Sequence, residues 1–171
     1  IVTGAGSGFC SGADLADERV AKDAANLFSN SATFLMKLQK VYSRLIVEMR
    51  QIPQPIIAAV NGAAAGGGMC MAMASDVILA SPKAAFTPSF INIGLSGGEL
   101  GATYFLPKAV GSARTADILL TGRTVDAAEA DKIGLISRLV DDESLMETAM
   151  EIASSMLEKT PLGLRFTKEA L

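Results

Sequence analysis

Ile56-Ile-Ala-Ala-Val-Asn-Gly-Ala-Ala-Ala-Gly-Gly-Gly-Met-Cys-Met-Ala-Met-Ala-Ser-Asp-Val-Ile-Leu-Ala80 is the stretch that decides the fold. Only Asn61, Ser75 and Asp76 in it are strongly polar, so a membrane-spanning helix has to be weighed first. A spanning helix would not place Asn61-Gly62 and the triplet Gly66-Gly67-Gly68 at its middle. The residues parse instead as a strand over 56–60, a turn at Asn61-Gly62, a short buried helix from about Gly67, and a strand over 77–80. Strand, helix and strand, all apolar, indicate an α/β protein.

The flanks agree with this reading. Ile1-Val2-Thr3 reads as the end of a buried strand, followed by a glycine-rich turn through Gly12 and a charged, solvated stretch from Asp14 to Asp23. From Phe34, the residues Leu35, Leu38, Val41, Tyr42, Leu45, Met49 and Ile52 recur at steps of three and four. They predict an amphipathic helix stopped by Pro53 and Pro55. Downstream, Ser112 is expected to cap a helix that ends at Gly122, and Asp126 to begin another that ends at Gly134. A short strand is expected over 136–140. Ser144-Leu-Met-Glu147 has capping-box spacing at the head of a helix running to about Glu158, and Thr160-Pro161 caps a last helix.

Composition sets the outer limits. The chain has 171 residues, 50% hydrophobic and 19% charged, which suits one globular domain without disulfide staples. Fifteen Lys+Arg against eighteen Asp+Glu give a net charge of −3, so no basic face for nucleic acid or a membrane surface is expected. There is no histidine, which excludes Ser-His-Asp and Cys-His mechanisms and histidine metal sites within this chain. Cys10 and Cys70 can build neither a disulfide framework nor a four-thiolate zinc site, and read as reduced thiols of a cytoplasmic protein. Ile1 in place of an initiator methionine, and an uncapped helical pattern at Phe166 to Leu171, lead us to expect a piece of a longer polypeptide.

Three motifs point the wrong way. Thr3-Gly-Ala-Gly-Ser-Gly-Phe-Cys10, with Tyr104-x-x-x-Lys108, imitates a short-chain dehydrogenase. Phe9 stands where the dinucleotide fingerprint needs glycine, and Pro107 would interrupt the dyad's helix. Gly94-Leu-Ser-Gly-Gly98 and Gly8-Phe-Cys-Ser-Gly12 fit a nucleophile elbow, but neither nucleophile has a histidine to take its proton. Glycine-rich turns that bring backbone close to a ligand explain both better.

Two such turns remain: Phe9-Cys-Ser-Gly-Ala-Asp-Leu15, and the run from Ala58 to Gly68 leading into a helix. The second offers free N–H groups at the positive end of a helix dipole. Paired with an N–H from the first, it could hold an oxyanion, as chemistry through an enolate requires.

These residues resemble the crotonase superfamily, the enoyl-CoA hydratase/isomerase family. The resemblance runs over the whole chain. Its signatures are Phe9-Cys-Ser-Gly-Ala-Asp-Leu15, Ile57-Ala-Ala-Val-Asn-Gly62 with Gly66-Gly-Gly68, Ser75-Asp76, Gly94-Leu95, Leu106-Pro107 with Val110-Gly111, Leu120-Thr-Gly-Arg123, and Ala127 through Gly134-Leu135. It implies an α/β crotonase-like fold of stacked ββα units in a single domain over 1–171. The ββα core would occupy about 1–120 and the start of a C-terminal helical region about 121–171. Roughly the first fifty residues and the last helices of the family pattern are missing. It further implies an acyl-CoA thioester substrate, no cofactor beyond that coenzyme A, no metal, and assembly as trimers or dimers of trimers.

Residue by residue, the resemblance assigns the oxyanion hole to the N–H groups of Ala13 and Gly67, with Gly66 beside it. Asp14 would sit near the hole or serve as a helix cap or surface charge; Ser11 and Leu15 would touch the coenzyme A part. The two glutamates of the family's hydratases fall at Cys70 and Phe90, so the two-glutamate hydration is not expected. Glu99, between glycines in Gly97-Gly-Glu-Leu-Gly101, is the remaining candidate acid/base, with surface exposure as its alternative. Ile91, Ile93, Leu95 and Leu100 are expected to desolvate it. An enolate-stabilising hydratase or isomerase is the expected activity; a thioester or carbon–carbon bond hydrolase, or a non-catalytic CoA-ester binder, is the alternative.

Overall fold

The computed structural model describes residues 1–14 and 31–171, with the backbone alone for 31–39 and Glu99. Among these residues the strands form two sheets. The first is parallel throughout, in the order β1 (Val2–Thr3), β2 (Ile57–Val60), β4 (Val77–Ala80), β7 (Arg138–Leu139). The second pairs β3 (Ala63–Ala65) parallel to β5 (Ala85–Thr87), which pairs antiparallel to β6 (Val125–Asp126). Cys10 adds a parallel bridge to Ala64 beside β3.

The chain winds as a coil. Each turn lays one strand in the first sheet and one in the second, and then runs into a helix. Thr3 and Cys10 start it before α1 (Ser31–Gln51). β2 and β3 lead into α2 (Gly67–Ala74), and β4 and β5 lead to α3 (Ala102–Val110). This is the ββα stacking that the resemblance implied. Helices α4 (Ser112–Thr121), α5 (Ala127–Ile133), α6 (Leu145–Leu157) and α7 (Pro161–Ala170) complete the described chain.

Burial explains the composition of the 56–80 stretch. All four residues of β2 are buried, so the strand reads as a continuous apolar run instead of an alternating one. Its two faces still divide the core. Ala58 and Val60 join the main cluster with Met69, Phe86, Leu106 and Ile118, whereas Ile57 and Ala59 meet Leu145 and Ala149 of α6. Helix α2 is buried at Gly68, Met69, Cys70, Ala72, Met73 and Ala74, which is why it lacks a polar face.

Several local expectations change. The Asp126 side chain does accept from the Glu129 N–H, and Thr160 Oγ1 from the Gly163 N–H, capping α5 and α7. Ser112 is instead the first residue of α4, the cap position belonging to Gly111. Ser144 closes a 3₁₀ turn over Asp142–Ser144 and makes no side-chain cap bond, so no capping box forms. The strand expected over 136–140 shrinks to Arg138–Leu139. Pro107 lies inside α3 and does not interrupt it; the carbonyl it fails to bond, four residues back, belongs to exposed Thr103. The charged stretch after Asp14 lies outside the described residues.

Candidate active site at two glycine corners

The two glycine-rich turns lie against each other. The N–H groups of Phe9 and Cys10 both donate to the Ala63 carbonyl at 3.0 Å, and the Ala65 N–H returns to the Cys10 carbonyl at 2.9 Å. This clasp lays the first turn along β3. A Cβ on Gly68 would stand 2.1 Å from the Cys10 oxygen, so the backbones touch where only glycine fits. Two residues on, a Cβ placed on Gly12 would be 3.0 Å from the Ala65 oxygen and 3.5 Å from the Gly67 nitrogen. Ala13 follows directly.

Gly66 sets the start of α2. Its φ of 52° and ψ of −116° suit glycine, and its N–H is held by the Thr87 carbonyl at 2.8 Å. Gly67 therefore opens the helix with the positive end of the dipole beside Gly12 and Ala13. Among the described residues, no carbonyl or side chain accepts from the N–H of Ala13 or of Gly67. Two such donors from separate turns, one at a helix start, are an arrangement that suits a developing anion.

The structure also brings the Glu99 turn here. Glu99–Gly101 is a 3₁₀ turn in which Leu100 adopts a left-handed φ of 52°. Leu100 Cδ1 lies 3.4 Å from where a Gly67 Cβ would stand, so this turn packs directly on the helix start. The Glu99 backbone is thus one residue from a side chain that roofs Gly67. The apolar ring expected around Glu99 is only half present. Leu95 and Leu100 pack against the core, but Ile91 and Ile93 are exposed, because left-handed Gly94 turns their 3₁₀ segment outward.

The other candidates separate into groups. Gly66 is part of the site. Ser11 and Asp14 are exposed on the first turn, and Leu15 lies outside the described residues. Cys70, fully buried, belongs to the core through the first turns of α2. Phe90 is 7% exposed, and its carbonyl accepts from the N–H groups of Ile93 and Leu95. Tyr104 and Lys108 do meet: the ammonium donates to the phenol oxygen at 2.7 Å and holds that hydroxyl below its ordinary range. Both are exposed, Tyr104 at 58%, on the outer side of α3.

Other signature residues hold the frame. Asp76 accepts from Arg50 at 2.7 Å, from the Ile56 N–H at 2.7 Å and from Lys168 at 2.9 Å. The buried Lys168 ammonium also donates to the carbonyls of Met49 and Gln54, bolting α7 to the end of α1. Arg123 binds both oxygens of Glu129 at 2.7 and 2.8 Å and Asp117 at 2.7 Å, joining α4 to α5. The guanidinium holds the Glu129 carboxyl below the usual range and is itself raised by its two acids. Sequence reading found the glycines and named Leu100 as a neighbour of Glu99, but missed its left-handed backbone and its place over Gly67, which leave no compositional trace. It read Asn61 only as a turn.

Comparison with known proteins fits this geometry. The family model described as enoyl-CoA hydratase/isomerase matches residues 1–171. A Mycobacterium bovis protein named probable enoyl-CoA hydratase echA12 is 44% identical over 171 residues, covering 100% of this chain and 59% of the relative. The 1,2-epoxyphenylacetyl-CoA isomerase of Escherichia coli K12 is 34% identical over 171 residues, covering 100% of this chain and 63% of that protein. The crystal structure of a probable enoyl-CoA hydratase/isomerase from Mycobacterium abscessus superposes with a TM-score of 0.83 at 42% identity, covering 98% of this chain and 61% of that one. The chain thus spans about three-fifths of the length of these relatives. Matched along its full length in sequence and in fold, the chain belongs to the enoyl-CoA hydratase/isomerase family.

Proposed function

We propose that the whole protein binds an acyl-CoA thioester, stabilises its enolate, and moves a double bond by proton transfer. The packing of Gly12, next to Ala13, against the Gly67 nitrogen at the start of α2 supports this reading. Placed on the thioester oxygen, they favour the anion that forms when a proton leaves the α- or γ-carbon, more than they favour the neutral carbonyl. Glu99 takes that proton and returns it to the other end of the allylic system, so no atom is gained or lost. Its turn packs on Gly67, which supports this role.

Isomerisation is preferred over hydration because the second and first glutamate positions hold Phe90 and Cys70, both in the core. Neither can bind or activate water. The full-length protein, incubated with enoyl-CoA, dienoyl-CoA and saturated acyl-CoA esters and read by mass spectrometry and ultraviolet absorbance, tests this. Unchanged mass with shifted absorbance is expected. A gain of water at the rate of efficient hydratases, or release of free coenzyme A, would overturn it.

A further inference from the structure

Both runs of chain that build the site change sheets at one corner. The first leaves β1 at Thr3 and reaches the Cys10 bridge; the second leaves β2 at Val60 and enters β3 at Ala63. Between them stands Asn61, partly buried. Its Oδ1 accepts from the Gly4 N–H at 3.0 Å. Its Nδ2 points among three carbonyls, those of Gly6 at 3.0 Å, Gly4 at 3.3 Å and Gly8 at 3.4 Å. A primary amide offers donors and an acceptor on one short planar group, which is what this loop presents to be bound. There is little room beside it: a Cβ on Gly62 would lie 2.1 Å from the Ser7 oxygen, and one on Gly4 1.8 Å from the Gly8 oxygen.

We propose that Asn61 is a positioning residue that sets the spacing between the Ala13 and Gly67 N–H groups. The inference rests on reading those groups as the oxyanion hole. It follows from how the two runs are anchored. Gly67 is fixed independently of Asn61, through the Gly66 N–H on Thr87 and the pairing of β3 with β5. The first run is fixed by the Asn61 amide at residues 4–8 and then by the clasp of Phe9 and Cys10 on Ala63. Loss of the amide removes one of the two anchors of the first run and none of those of Gly67, so the error appears as a change of distance between the two donors. Hydrogen bonds weaken steeply with such misalignment, and about 1 Å of misplacement costs on the order of a hundredfold in rate.

The test uses the full-length protein with carbonyl-¹³C hexanoyl-CoA and isotope-edited infrared spectroscopy. Bound to the parent protein, the thioester carbonyl band is expected to fall in frequency relative to free ester. In Asn61→Ala it should return most of the way to the free position, with Kd within about threefold and turnover down roughly ten- to a hundredfold. A residue that only stabilises the fold would lower the melting temperature and leave the band of the folded protein where it was. Gly6→Ala is the second variant: at φ +80° with no atom within 4 Å of the new Cβ, it strains the same loop without a clash. It should move the band in the same direction, and it decides the question if Asn61→Ala does not fold. A band that stays shifted in the folded variants overturns the role of Asn61. No shift in the parent would instead overturn the oxyanion reading itself, and the role of Asn61 with it.

Discussion

Replacing Gly68 by alanine should separate the two corners of the site without touching either donor. The new Cβ would stand 2.1 Å from the Cys10 oxygen, 2.7 Å from its Cβ and 2.8 Å from its carbonyl carbon. Ordinary contact begins near 3.4 Å, so the Cys10 carbonyl has to withdraw by about 1.3 Å. That carbonyl is held by the Ala65 N–H at 2.9 Å, and a shift of this size breaks the bond. The stability cost is the lost bond, about 1 kcal/mol, plus overpacking of about 1–3 kcal/mol. Ala13 lies three residues beyond Cys10 and moves with it, whereas Gly67 stays beside Gly66, whose N–H remains on the Thr87 carbonyl. The consequence is loss of one oxyanion donor, roughly a hundredfold to a thousandfold in turnover. Steady-state kinetics on the accepted enoyl-CoA, beside urea unfolding of the same preparation, would measure both. A folded Gly68→Ala protein with turnover within about twofold of the parent would refute the claim that this backbone contact holds the site together.

Glu99→Gln keeps the shape and removes the titration; turnover should fall by about two to four orders of magnitude while CoA-ester affinity holds, as kinetics and calorimetry would show. Lys168→Met removes the cation that Asp76 and the carbonyls of Met49 and Gln54 share. It should destabilise the protein by about 3–5 kcal/mol in urea, and a loss below about 0.5 kcal/mol would show the cluster to be decoration. The Glu129 carboxyl is held low by Arg123, so its contribution is present above the ordinary glutamate pKa and is lost as pH falls through the depressed one. The urea midpoint of the parent should therefore drop more between about pH 5 and about pH 3 than that of Arg123→Met, by a small amount because the pair is one-third exposed.

What could be read from sequence was what composition states strongly. The glycine triplet and the alanines around it admit few structures, so the strand–turn–helix–strand parse and the helix start at Gly67 were both visible. Asp126 with Gly134, and Thr160 with Pro161, carried their capping chemistry locally. β3 and β5 were not visible, because three-residue strands such as Ala63–Ala65 exist through their partners and not through their own residues. Ser144-Leu-Met-Glu147 had the right spacing, but a preceding 3₁₀ turn put Ser144 at φ −97°, ψ −3°, from which its hydroxyl caps nothing. Leu100 over Gly67 and Lys168 under Asp76 are long-range facts. Neither residue carries a sign of its partner.

The coil has a consequence for how the molecule comes apart. Among the described residues, each strand of the first sheet is bonded to its neighbours in the order β1-β2-β4-β7, so the sheet resembles a short stack of rungs. Stacks of this kind fray from their ends. Amide protons on β2 and β4, each paired on both sides, should exchange only with global opening. Gly67 follows the rung of β2, and Ala13 lies on the run that continues from its neighbour β1. The candidate anion site therefore spans two adjacent rungs, and its geometry depends on the pairing between them.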